Sequence, residues 1–114
     1  MFPIITNFQT LTGRAPVFLG AEVGNIADDT VVLTYNKSPD PASKPATGDF
    51  AVAGTVQTIT AVTYIGNTIR LTMSASLLNT DVLTVSYTQG SNPIQDTSKN
   101  ESLDLTTESV TNNI

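Results

Sequence analysis

A period of two constrains this chain more than any other feature of its sequence. In residues 81–88, Leu83, Val85 and Tyr87 fall on one face of an extended segment, and Thr84, Ser86 and Thr88 fall on the other. That alternation marks a half-buried β-strand. It returns in residues 17–23, where Val17, Leu19, Ala21 and Val23 share a face, and in residues 30–36, where Val31, Leu33 and Tyr35 do. Residues 68–73 put Ile69, Leu71 and Met73 inward and Thr68, Arg70 and Thr72 outward. Residues 49–53 form a shorter strand with Phe50 and Val52 inward. Residues 55–65 form a longer one whose apolar parity changes between Ile59 and Val62, which predicts a β-bulge. The last strand is expected over residues 103–110, with Leu103 and Leu105 in the core, and residues 111–114 read as a tail. Turn signals separate these runs: Gly24-Asn25 with Asp28-Asp29, the prolines 39, 41 and 45, Gly54, and the hairpin pair Gly66-Asn67.

Seven short strands at this spacing predict an all-β chain, an immunoglobulin-like antiparallel β-sandwich with an extended N-terminal arm. A partly open Greek-key barrel is the alternative. At 114 residues the chain is one domain, divided into an arm, residues 1–15, and the sandwich, residues 16–114. If the strands run up and down between two ends, the loops sort by end. Loops 37–48, 66–67 and 89–101 share one end, with Lys37, Lys44 and Lys99. Loops 24–29, 54 and 74–80 share the other, with Asp28, Asp29 and Asp81.

Composition removes several functions. Hydrophobic residues make up 39% and charged residues 13%, too apolar and too weakly charged for disorder. The formal net charge of −5 repels phosphate backbones, so no nucleic-acid partner is expected. With no cysteine and no histidine, the chain has no disulfide framework, no thiolate metal site and no imidazole base. No run approaches the roughly 20 apolar residues of a membrane span. Met1-Phe2-Pro3-Ile4-Ile5 has no basic start and too short an apolar run for a signal peptide. A native Met1 then implies synthesis and retention in the cytoplasm; an added Met1 would allow a larger secreted parent.

The candidate contacts are few. Phe2, Ile4, Ile5, Phe8 and Leu11 make the arm costly to expose. It is expected either to pack on its own domain or, as the partner-binding reading, to dock on a neighbouring subunit by adding a strand to an open edge. In the loops, Lys37, Lys44, Asn92, Gln95 and Lys99 are candidate partner contacts, because long loops on a rigid scaffold carry recognition. Within loop 89–101, Ile94 is expected to plug the core, Asp96 to close an Asx-turn and Asn100 to adopt a left-handed conformation. Asp28, Asp29 and Asp81 are the only weak candidates for a calcium site; no EF-hand spacing is present, and turn capping is the plainer reading of Asp28 and Asp29, so no metal is expected. No cofactor is expected. The chain has ten acids, but no pair sits in a cleft-forming context, and no Ser or Thr has a histidine base. The expectation is therefore a protein that is not an enzyme.

Two segments resemble a known family. VLTVSYTQGSNPIQDTSKN (residues 82–100) and ESVTNNI (residues 108–114) are similar to the repeat of bacterial cell-surface proteins, the cyanobacterial swimming-motility protein among them. APVFLGAEVGNIADDTVVLTYNKSPD (residues 15–40) resembles its opening strands, and GNTIRLTMSASLLNTD (residues 66–81) its fifth strand and following turn. Lys99 stands where the family carries a glycine. The resemblance covers residues 15–114 and implies an immunoglobulin-like sandwich used for display or adhesion, with no enzymatic role. Related sandwiches also decorate tailed-phage heads, tails and fibres. A single copy beginning at Met1 without a signal favours a bacteriophage virion component, made in the host cytoplasm: a capsid decoration or accessory protein, or a tail or fibre protein. Its arm would anchor it to capsid or tail subunits, or to further copies of itself as a homo-oligomer. The alternative is a single module of a bacterial cell-surface adhesin that binds glycans or cells.

Overall fold

Residues rich in Val, Ile, Thr and Tyr fit a pleated, half-buried surface, and the computed structural model, which describes residues 15–114, is built of them. Its strands are β1 (Phe18–Val23), β2 (Thr30–Tyr35), β3 (Phe50–Ala53), β4 (Ile59–Ile65), β5 (Thr68–Met73), β6 (Thr84–Tyr87) and β7 (Leu105–Asn112). A 3₁₀ turn, Thr47–Asp49, leads into β3. The strands form one seven-stranded sheet in the order β3-β6-β7-β1-β2-β5-β4.

This sheet folds on itself, and β7 makes the fold possible. Its first half pairs antiparallel with β6, Leu105 opposite Tyr87 and Ser109 opposite Thr84. Its second half pairs parallel with β1, Val110, Thr111 and Asn112 opposite Ala21, Glu22 and Val23. Within the first half, between Leu105 and Glu108, lies an irregularity at Thr107, whose φ of 45° is unusual for a β-branched residue. The Thr107 N–H, turned out of the ladder, donates to Ser86 Oγ at 2.9 Å. Both inner faces then close on one core. Val23, Val31, Leu33, Tyr35, Ile69, Leu71, Val85, Tyr87 and Ile94 are fully buried in it. Each such aliphatic side chain contributes roughly 1.5–3 kcal/mol relative to exposure.

The alternation in β2 and β5 and the Gly66-Asn67 turn stand as predicted. Gly66 supplies a φ of 57° there, and Asn67 Nδ2 donates to the Tyr35 carbonyl at 2.7 Å, tying the hairpin to β2. The predicted bulge in the fourth strand falls between Ile59 and Ala61. Gly54 ends β3 with a φ of 94°, and a Cβ there would lie 2.0 Å from the Val82 carbonyl oxygen.

Three expectations are corrected. Val17 and Leu19 are 48% and 63% exposed rather than inward. The register of β1 against β2 shifts between Phe18 and Gly20, and a one-residue slip sends the side chains to the other face. Phe18 turns in instead, its ring 5.8 Å from Tyr35 in an edge-on contact. Leu103 is 86% exposed, because β7 begins only at Leu105. Residues 111 and 112 are not tail but the part of β7 that pairs with β1.

The loops sort by end as predicted. Ser43 Oγ donates to the Pro93 carbonyl at 2.7 Å, joining loops 37–48 and 89–101. At the opposite end the N–H groups of Met73 and Leu77 donate to the carbonyls of Asp29 and Asp28. The arm residues Phe2, Ile4, Ile5, Phe8 and Leu11 lie outside the described residues.

Candidate functional site

The lysine-bearing end is the more elaborate of the two. Its longest loop, residues 88–104 between β6 and β7, is held from inside. Ile94 is fully buried, its N–H donating to Tyr87 Oη at 3.0 Å and its carbonyl accepting from Ser102 N–H at 2.8 Å. Burial is the main cause of the raised Tyr87 hydroxyl pKa, and the Ile94 N–H partly offsets it. Tyr64, half-buried, donates to the Ser43 carbonyl at 2.9 Å.

Asp96 is the hub. It is 7% exposed, and its Oδ1 closes the predicted Asx-turn by accepting from Ser98 N–H at 2.9 Å. The same oxygen takes the Asn100 N–H at 2.9 Å, while Oδ2 takes Asn100 Nδ2 at 3.0 Å and Lys37 Nζ at 3.2 Å. Burial by itself would push this carboxyl up. The Asn100 side chain and N–H, the Lys37 ammonium and the Ser98 N–H outweigh burial and hold it down to about 2. The left-handed residue of the turn is Lys99, with φ 69°, and not Asn100 as expected. The Lys99 N–H donates to the Asp96 carbonyl at 2.9 Å, which puts Lys99 at the corner, while Asn100 is spent on the carboxylate.

Of the five loop candidates, the structure leaves Lys44, Asn92 and Lys99 exposed above this frame. Gln95 does not present its side chain. It is 7% exposed, it pairs with Glu101 in an isolated bridge, and its carbonyl accepts from Asp40 N–H at 2.7 Å. Lys37 is turned to Asp96. At the far end, Asp29 accepts from Thr30 Oγ1 at 3.0 Å and Asp81 from Leu78 N–H at 2.9 Å. Among the described residues, no three acidic side chains gather as ligands for a metal ion. Asp81 thus caps a turn, and the Asp29 carboxylate is taken up by the neighbouring hydroxyl.

A second feature was not foreseen from the sequence. Where the β1–β7 ladder stops, the strands diverge around a cleft of about 510 Å³. Pro16, Val17, Phe18, Leu103 and Leu105 line it, with Glu101, Asp104 and Glu108 also on its walls. Ser102 Oγ hydrogen-bonds the Pro16 carbonyl across it. Val17 and Leu103, read from the sequence as core, are its exposed apolar walls. The one signal that could have revealed it was Gly20, since a glycine inside a strand often marks a bulge.

With that geometry in place, comparisons with known proteins add one finding. A family model described as "Putative flagellar system-associated repeat" matches residues 12–92. The match runs from before β1 through β6 and stops short of Pro93-Ile94-Gln95-Asp96 and of β7. No curated protein and no solved structure matches the chain.

Proposed function

Since this chain belongs to the flagellar system-associated repeat family, we propose that it is a non-enzymatic interaction module of a bacterial surface or motility-related protein. The observation that supports this reading best is the lysine end. Its polar groups are spent inside the frame: Asp96, Asn100 and Tyr87 hold the longest loop, and Ser43 and Lys37 tie the neighbouring loop to it. What remains at the surface is a set of rigidly held polar tips, Lys44, Asn92 and Lys99. Pre-ordered loops lose little conformational entropy when a partner docks. That is what a display or adhesion module needs.

The test is made in the bacterium that carries the gene. Deletion is expected to reduce spreading in soft agar or attachment to a surface, and the protein is expected to be cleaved by protease added to intact cells. Unchanged motility and attachment together with full protection from protease would overturn the proposal, as would hydrolase activity towards a glycan. The finer reading as a virion component draws no support from the family match and takes second place. Capsid or tail genes beside this one would restore it.

A further inference from the structure

We propose that the β1–β7 cleft is a docking pocket for a partner protein, and that it takes one large apolar side chain standing beside a lysine or arginine in the partner's sequence. This deepens the interaction-module reading by naming the chemistry of the partner. At about 510 Å³ the cleft has the size of a small-ligand pocket. Its apolar walls come from both sides, Val17 and Phe18 on one and Leu103 and Leu105 on the other. These walls are held before anything binds. The Ser102 hydroxyl donates to the Pro16 carbonyl and joins them. On the β2 side, the Val17 N–H donates to Asn36 Oδ1 and the Val17 carbonyl accepts from the Asn36 N–H, both at 2.9 Å. Phe18 rests edge-on against the buried Tyr35, and Leu105 stands opposite Tyr87 in the β6–β7 ladder. A side chain enters such a pocket without moving its walls, so little of the binding energy is lost to reorganisation.

Charge selects what enters. Glu101, Asp104 and Glu108 border the cleft, and no described Lys or Arg lines it. Asp104 is spent on the Gln89 N–H at 3.0 Å. Among the described residues, Glu101 and Glu108 enter no ion pair and their carboxylates take no hydrogen bond. Two unspent carboxylates beside an apolar floor complement a hydrophobic group flanked by cations and repel one flanked by acids. The described part of a second copy does not supply that pattern. Beside Lys44 stand Ser43 and Pro45, and beside Lys99 stand Ser98 and Asn100, so neither exposed lysine has a large apolar neighbour in sequence.

The test is an NMR titration of the full chain with three capped peptides. The first has a phenylalanine flanked on each side by two arginines, the second has alanine in place of the phenylalanine, and the third has glutamate in place of every arginine. The first peptide is expected to move the amide signals of residues 15–18 and 101–108 and to leave Leu78, exposed at the aspartate end, in place. Alanine at the centre should weaken binding about tenfold or more, and the glutamate peptide should not bind. Neither Glu101 nor Glu108 is buried, so changing both spares the core. Glu101→Lys with Glu108→Lys should weaken the first peptide about fivefold or more. Equal binding of the arginine and glutamate peptides, or no movement of the cleft signals at millimolar peptide, would overturn the proposal. Cleft signals that shift with protein concentration alone would also overturn it, by assigning the cleft to a second copy. So would a shift, without peptide, when Phe2, Ile4, Ile5 and Phe8 are all changed to serine, by assigning the cleft to the chain's own leading segment. All these readouts are independent of motility and attachment, so failure of the pocket is distinguishable from failure of the interaction-module reading.

Discussion

Replacing Asp96 by Asn removes one charge from the lysine end and leaves its shape almost unchanged. The carboxyl sits at about 2 in the fold and near its ordinary 3.8 in the unfolded chain. At 1.36 kcal/mol per pH unit this depression is equivalent to about 2.4 kcal/mol. Lys37 is 38% exposed, so part of its contribution is screened and about 2 kcal/mol is the better figure. The sign follows from the direction of the shift. A depressed carboxyl stabilises the fold above pH 3.8, and that stabilisation is lost as the pH falls toward 2. Asp96→Asn should lower the melting temperature at pH 7 by about 8–12 °C for a domain of this size. Melts of both proteins at pH 7, 5, 3 and 2 should show the gap closing by more than half between pH 5 and pH 2. A gap constant across that range would mean that packing of the side chain, and not its charge, holds the loop, and the electrostatic account of Asp96 would fail.

The two most buried tyrosines should respond in opposite directions to loss of their hydroxyls. Tyr35 Oη is buried without a hydrogen-bond partner among the described residues, so Tyr35→Phe should be neutral or stabilise by up to about 1 kcal/mol. Tyr87→Phe strips the acceptor from the buried Ile94 N–H and should cost about 1–2 kcal/mol; urea midpoints for the pair decide this. Lys99→Gly relieves the positive φ at the turn corner. It should stabilise by about 0.5–1 kcal/mol once the extra freedom of glycine in the unfolded chain is subtracted, and a lower urea midpoint would contradict that.

Sequence periodicity revealed those parts of the fold whose rule is local. β2 and β5 alternate strictly and sit where their pattern puts them, and Gly66-Asn67 needed only its own chemistry. β1 was misread because its parity depends on a slip near Gly20 that is set by pairing with β2. Residues 111 and 112 carry no apolar pattern; they are strand only because β1 lies beside them. The Asx-turn at Asp96 was legible since it closes over two residues. Its partner Lys37 lies 59 residues away, a contact no local pattern encodes. The β1–β7 cleft was hidden for the same reason: it exists only where two distant strands stop pairing.

The parallel pairing of β1 with the end of β7 has a mechanical meaning. β1 is the first described strand and β7 the last, and Asn113 N–H still donates to the Val23 carbonyl at 2.8 Å as the chain leaves. Two neighbouring strands that point the same way cannot be peeled apart by pulling on opposite ends of the polypeptide. Tension along the molecule instead slides β1 past β7, and the evenly spaced bonds of a parallel ladder share that load. A module strung between a moving cell and whatever it grips would carry its shear clamp at this seam.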